Sequence, residues 1–273
     1  MNDITSQELT ELVEVIRKKT GLDFSNYGEK SLKRRIVSSS NTLGLKSVAQ
    51  LRDKITKDDQ FIHQLVNLLS VGLTTMFRDP ELWVRLRPEL KEMAERKKKI
   101  RVWHAGCSTG EEVFTLNIIL EELGVRESFR GVATDMNEDS LETAKKGLYS
   151  HEVIKEYNQQ YTLYKRRGFL DKYYQQADDS VQMDLRLTEN VKFRKNNLIS
   201  ETMNEKFDLI LCRNVMIYFD TIAKKALLEK FHKNLMTNGL LVTGYHDSIV
   251  PILDPDLYEV KDMKHRIFAK KGI

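Results

Sequence analysis

Residues 106–112 read Gly-Cys-Ser-Thr-Gly-Glu-Glu, a glycine-bearing turn between the apolar run IRVWHA and a helical apolar pattern that begins at Glu111. Glycines let a ligand approach the backbone closely, and the start of a helix offers N–H groups with no intrahelical partner. Ligands bind at such turns in open α/β sheets. The spacing is not that of a nucleotide loop. Gly106 and Gly110 are separated by three residues, and no Gly-Lys-Ser/Thr follows. Glu111 and Glu112 would repel a phosphate and suit a cation, and S-adenosylmethionine carries both a sulfonium and an ammonium. A second reading of Glu111 stays open, a carboxylate that complements the helix dipole. Asp135 ends the next apolar run, FRGVATD, where such sheets place an acid that accepts hydrogen bonds from ribose hydroxyls. An Asp there can also cap the following helix, a part that Asp139 could take instead. A later run, FDLILC, leads into Arg213, Asn214, Val215, Met216, Ile217, Tyr218 and Phe219, bringing polar groups to the same edge of the sheet.

The elements that position these residues follow from periodicity. Up to about residue 75 the apolar positions keep helical spacing: Leu9, Leu12, Val13 and Ile16, then Val48, Leu51 and Ile55, then Phe61, Leu65, Leu68 and Leu69. Thr5 and Glu8 have capping-box spacing, and Gly21 and Gly44 stand where helices should stop. Residues 1–75 are thus expected to form a small all-α domain. Residues 76–99 are expected as a linker whose Lys- and Glu-rich part is helical, with the basic run Arg96 to Lys99 as its solvated end. From Ile100 short apolar runs alternate with helical patterns, which implies a mostly parallel sheet covered on both faces. The stretch between Gly147 and Val191 is too long for a simple connection, and VQMDLRL alternates like a sheet edge, so an inserted β-rich subdomain is expected at about 165–195. At the C-terminus YEVKD and RIFAKK flank Met263, Lys264 and His265 as an antiparallel hairpin would. The fold class read from the pattern is α/β, and the closing antiparallel strand resembles class I methyltransferase sheets, so a Rossmann-like class I methyltransferase domain is expected over 100–273 behind a small helical domain.

Composition narrows the function classes. The chain of 273 residues carries 44 basic and 40 acidic side chains, a formal net charge of +4, so no broad cationic surface for nucleic acid is implied. Its two cysteines, Cys107 and Cys212, have no CxxC spacing, which speaks against a disulfide framework and a zinc site; no metal is expected. No leader-like N-terminus and no apolar run of membrane-spanning length occur, so a cytoplasmic protein without membrane insertion is expected.

Five segments in this order, TTMFRDP at 74–80, GCSTGEE at 106–112, ATD at 133–135, NNL at 196–198 and CRNVMIYF at 212–219, resemble the CheR-type chemotaxis receptor glutamate O-methyltransferases. The likeness runs from about residue 8 to the end. It implies S-adenosylmethionine as cofactor, S-adenosylhomocysteine as product, and the cytoplasmic domain of a chemoreceptor as protein substrate. Thr74 and Arg78 would reach toward the cofactor and the reacting carboxylate. Gly106 and Glu112 would contact the methionine part of the cofactor, Asp135 the ribose, and Met136, Asn197 and Leu198 the adenine side. Arg213 and Asn214 join the cofactor set, and Arg78, Arg213 and Tyr218 form the catalytic set at the acceptor. The chain departs from the family pattern at Gly72, where relatives carry Asn, at Met76, where they carry Phe, and at Tyr245, His246 and Asp247, where they carry His-Ser-Glu.

A glutamate acceptor is already ionised at neutral pH, so the absence of a catalytic His or Cys is expected. The enzyme then contributes chiefly by aligning nucleophile and methyl group for in-line displacement in a site with little water. Lys30, Lys33 and Arg34 would share one face of a helix over 28–40, opposite Leu32 and Ile36, and the resemblance implies that this face docks the receptor; a merely solvated face is the other reading. A monomer is expected. Two alternatives remain, a catalytically silent S-adenosylmethionine-binding scaffold or sensor, for which Gly72 speaks, and a methyltransferase with another acceptor.

Overall fold

The computed structural model describes residues 4–20, 22, 24–25, 27–70, 74–166 and 168–272, without the side chains of residues 63, 67 and 70. The expectations for Gly21 and Gly72 lie outside these residues.

The first part of the chain is helical: α1 (Ser6–Thr20), α2 (Glu29–Thr42), α3 (Val48–Lys57) and α4 (Asp59–Ser70). The Thr5 hydroxyl accepts from the Glu8 N–H at 3.2 Å while the Glu8 carboxylate accepts from the Thr5 N–H at 2.9 Å, closing the capping box. Gly44, with φ +74°, follows the end of α2. Leu9, Leu12, Val13, Ile16, Leu51, Ile55, Phe61, Leu65 and Leu69 are buried in one core with Leu32 and Ile36, whereas Leu68 stays exposed. The connecting helix α5 spans Pro80–Arg96 and ends before the three lysines.

The remainder runs β1 (Ile100–Ala105), α6 (Glu111–Glu122), β2 (Phe129–Asp135), α7 (Glu138–Lys146), β3 (Leu148–Tyr149), α8 (His151–Tyr164), β4 (Tyr174–Gln176), β5 (Val181–Met183), β6 (Val191–Lys195), β7 (Phe207–Cys212), α9 (Thr221–Asn234), β8 (Leu235–Thr243), β9 (Tyr258–Asp262) and β10 (Ile267–Lys270). Among the described residues, seven strands form one sheet in the order β6-β2-β1-β7-β8-β10-β9. The neighbours from β6 to β8 are parallel, and β10 runs antiparallel to both β8 and β9, so the expected closing hairpin is present. Every residue of β7 is buried, which is why FDLILC reads as an unbroken apolar run rather than an alternating one. Strand order reverses between β1 and β7, and the crevice at their carboxyl ends is where an open α/β sheet takes its ligand.

One boundary is corrected. Val191–Lys195 was expected inside the insertion, but it pairs in parallel with β2 and forms the edge of the main sheet. The insertion's own sheet, β3-β5-β4, begins at Leu148, and only Val181–Met183 of VQMDLRL is strand. Asp184 then accepts from the Arg186 N–H, turning Leu185–Thr188 into a 3-10 helix. An edge strand and a strand of a small separate sheet both alternate, so pattern alone does not assign either to its sheet.

Candidate functional site

The turn after β1 begins with Gly106 at φ +83°, where a Cβ would lie 2.5 Å from a methyl of Val215. Glycine is therefore required twice over, by conformation and by the close approach of the segment after β7. Gly110 at φ +96° lets α6 start against Ala144 of α7, whose Cα and Cβ would crowd a side chain there. Asp135 ties this turn to the end of β2: one carboxylate oxygen accepts from the Ser108 N–H at 2.8 Å, the other from the Asn137 N–H at 3.0 Å. Burial pushes its pKa up, and these N–H groups oppose the shift. The cap of α7 is Asn137, which accepts from the N–H groups of Asp139 and Ser140. Neither Asp135 nor Asp139 serves as that cap.

The two glutamates after Gly110 part company. Glu111 is 3% exposed and accepts from the Thr109 hydroxyl and, at 2.8 Å, from the Tyr157 hydroxyl of the insertion. It faces a polar seam inside the protein rather than a ligand. Glu112 is 3.0 Å from His104 Nδ1 and 3.4 Å from an Arg213 nitrogen. Burial alone would raise its pKa, but the His104 hydrogen bond and the Arg213 charge outweigh that and hold it below the usual carboxylate range. Glu112 is not among the residues of the cavity wall described next, which Asp135 lines.

A cavity opens over the carboxyl ends of β1, β2 and β7. Among its described lining residues are Thr74, Arg78, Gly106, Asp135, Met136, Asn197, Leu198, Arg213, Asn214 and Tyr218, all singled out from sequence. Ser108, Asn196, Val215, Ile217 and Phe219 line it too and stand in the segments read above without an assigned role, while Tyr27 and Ile199 lie outside those segments. Tyr27 comes from the helical domain. Its ring stacks on that of Tyr218 at 5.8 Å, its hydroxyl donates toward the Met136 sulfur at 3.7 Å, and the adjacent Gly28 N–H donates to the Tyr218 carbonyl at 2.7 Å. No local pattern distinguishes such a tyrosine from a core residue; only the docking of one domain on the other does.

Arg213 is 3% exposed at its side chain and carries two acids, Asp79 at 2.8 Å and Glu112 at 3.4 Å. It also donates to the Arg78 carbonyl at 2.9 Å and lies 5.1 Å from the centre of the Trp83 ring. The same Arg78 carbonyl accepts from the Trp83 indole N–H at 2.9 Å, and the residues on either side, Phe77 and Asp79, both have positive φ (54° and 55°). The backbone of Arg78 is thus fixed by two donors in a conformation its neighbours reach only at a cost. Asn214 also has positive φ, 59°.

A cationic, diol-bearing cofactor fits this wall. Asp135 accepts from the backbone N–H groups of Ser108, Met136 and Asn137 and keeps lone-pair capacity beyond them for a hydroxyl donor. The Ser108 hydroxyl and the Asn214 side-chain oxygen are buried without a protein partner, polar atoms that a bound group would satisfy. On α2, Lys30 and Arg34 are exposed, whereas Lys33 is half-buried and bonded to Glu29 at 2.8 Å and to the Ser6 hydroxyl at 3.2 Å.

Comparison with known proteins gives the family. The sequence profile described as the CheR methyltransferase SAM binding domain matches residues 72–267, and that of the CheR methyltransferase all-alpha domain matches residues 7–70. A Pseudomonas putida protein named Cher3 is 35% identical over 266 residues, covering 97% of each chain. The chemotaxis protein methyltransferase of Borreliella burgdorferi is 30% identical over 262 residues, 90% of each chain, and that of Escherichia coli is 29% identical over 243, covering 86% of this chain and 82% of its relative.

Proposed function

This chain belongs to the CheR methyltransferase family, and we propose that it methylates glutamate side chains on the cytoplasmic domain of a chemoreceptor, acting in the cytoplasm in chemotaxis signalling. The observation that carries the reading is the convergence of Arg78, Asn214 and Tyr218 on the wall that also bears Asp135. When bound, S-adenosylmethionine supplies a methyl group activated by the sulfonium.

The chain's own residues do the rest. Asp135 accepts from the ribose hydroxyls, while Met136, Asn197 and Leu198 form the adenine side. Gly106, Ser108 and Asn214 serve the methionine part with backbone and buried polar atoms. Thr74 stands between this side and the acceptor. Glu112 acts through Arg213, and Arg213 in turn fixes the Arg78 carbonyl, so both are positioning residues. Arg78 and the Tyr218 hydroxyl orient the acceptor carboxylate. Arg78 must align it without a fully closed ion pair, because a tightly paired carboxylate is a poor nucleophile and catalysis needs the stronger contact in the transition state. No general base is required for an acceptor that is already an anion. Tyr27 and Tyr218 narrow the mouth and exclude water.

The test is methyl transfer from labelled cofactor to a purified chemoreceptor cytoplasmic fragment. Label released as methanol by mild base is expected, the mark of a carboxyl methyl ester. Base-stable label, or none, would remove the glutamate assignment.

A further inference from the structure

The segment after β7 carries Asn214 on one side and Tyr218 on the other, and the backbone N–H groups of Asn214 and Ile217 are both held by one side chain from another element. Asp247 is fully buried. Its Oδ2 accepts from the Gly244 N–H at 2.6 Å and from the Asn214 N–H at 2.9 Å, and its Oδ1 accepts from the Ile217 N–H at 3.1 Å. The Asp247 carbonyl accepts from Lys224 of α9 at 2.9 Å, which fixes the acid from behind. The seat is close-fitting, since a Cβ on Gly244 would lie 2.7 Å from the Asn214 nitrogen and 2.8 Å from Asp247 Oδ2. Asn214 itself sits at positive φ, so it needs an outside partner to hold it there.

We infer that Asp247 is a further positioning residue of the methyl-transfer site, with its two oxygens dividing the work. Oδ2 sets Asn214 on the cofactor side, and Oδ1 sets the Ile217–Tyr218 corner on the acceptor side. The inference rests on the assignment of Asn214 and Tyr218 given above. Burial raises the pKa of Asp247, and its three N–H partners and the Arg213 charge oppose the shift.

The division of labour gives an asymmetric expectation for Asp247→Asn. An amide has one oxygen and one NH2. The oxygen goes to the position with two donors, so the NH2 must face the Ile217 N–H, donor against donor. The acceptor side should loosen while the cofactor side holds. Turnover on the receptor fragment should fall at least tenfold, and the dissociation constant for S-adenosylhomocysteine, measured by calorimetry, should stay within threefold. Hydrogen exchange should speed up at the Ile217 amide and stay slow at Asn214. Asp247→Ala removes both oxygens and should weaken product binding about tenfold as well. A folded Asp247→Asn protein with turnover within twofold of the parent, or with binding and turnover falling together, overturns the inference. If that variant does not fold, Asp247→Glu replaces it, because it keeps the charge and both oxygens. Slow exchange at both amides is then expected, and fast exchange with undiminished turnover overturns the inference. The exchange readout does not depend on what Tyr218 does, so a failed glutamate assignment, revealed by full activity in Tyr218→Phe, is separable from a failed Asp247 assignment.

Discussion

Two arginines meet at the site and burial assigns them different work. Arg213 has two carboxylates, a carbonyl and an indole ring for company, and an arginine so engaged has little to offer a third anion. Removing one member of such a buried group strands the others, a loss on the order of 3–5 kcal/mol, so its role is read in stability as much as in rate. Arg78 is half-buried in the cavity wall, with its backbone clamped. A guanidinium hydrogen-bonded to a carboxylate contributes about 1.5–3 kcal/mol, so Arg78→Ala should lower methyl transfer by roughly 10- to 100-fold. Because the Arg78 carbonyl rather than its side chain receives the two clamping donors, the variant keeps the fold of the segment. Cofactor binding by calorimetry should survive, and undiminished transfer would contradict the role.

At the scale of elements, Gly106 decides how close the segment after β7 comes to the turn after β1. Gly106→Ala places a methyl against Val215 and a side chain at positive φ, costs of about 1–3 kcal/mol for overpacking and about 1–2 kcal/mol for the conformation. Denaturant unfolding should show the combined loss, and adding Val215→Ala should recover only the overpacking share. A double variant as stable as the parent would mean the conformation costs nothing there. Near the end of α9, His232 is buried against Tyr258 with its Nε2 unpartnered. Burial, then the charges of Lys270 and Lys206, lower its pKa below 6.5. The native protein therefore resists protonation that the unfolded chain accepts, and stability drops as pH falls below about 6.5. His232→Gln should flatten that part of the profile in urea melts compared between pH 7 and pH 5.5, and an unchanged slope would place the effect elsewhere. The sequence pattern located the alternating strands and helices well, because a parallel sheet imprints buried runs on its strands. It left Glu111 and Glu112 unresolved, since neighbours at a helix start point about 100° apart and the choice between them is made by Tyr157, 46 residues away in the chain. Asp247 stood out only as a departure from relatives; its three N–H partners lie in two different turns.

At the scale of the molecule, the helical domain is part of the site and not an attachment beside it. Tyr27 lines the cavity, Gly28 is hydrogen-bonded to the Tyr218 carbonyl, and the Arg35 guanidinium of α2 lies 4.5 Å over the Tyr218 ring. The same helix that presents Lys30 and Arg34 outward thus touches an acceptor-side residue on its inner face. Lys33 contributes differently from its neighbours: its bond to Glu29 offsets its charge and its contact with Ser6 joins α2 to α1, so reversing it would disturb the domain as well as its surface. The informative variant is therefore Lys30→Glu with Arg34→Glu. If α2 docks an acidic receptor surface, this pair should raise KM for the receptor fragment about tenfold at low salt, and the gap should narrow as salt shortens the screening length to about 3 Å near 1 M. Calorimetry with S-adenosylhomocysteine should give the parent affinity, since neither side chain lines the cavity. A KM indistinguishable from the parent at low salt would leave α2 a solvated face, and the receptor would then have to dock elsewhere around the Tyr218 mouth.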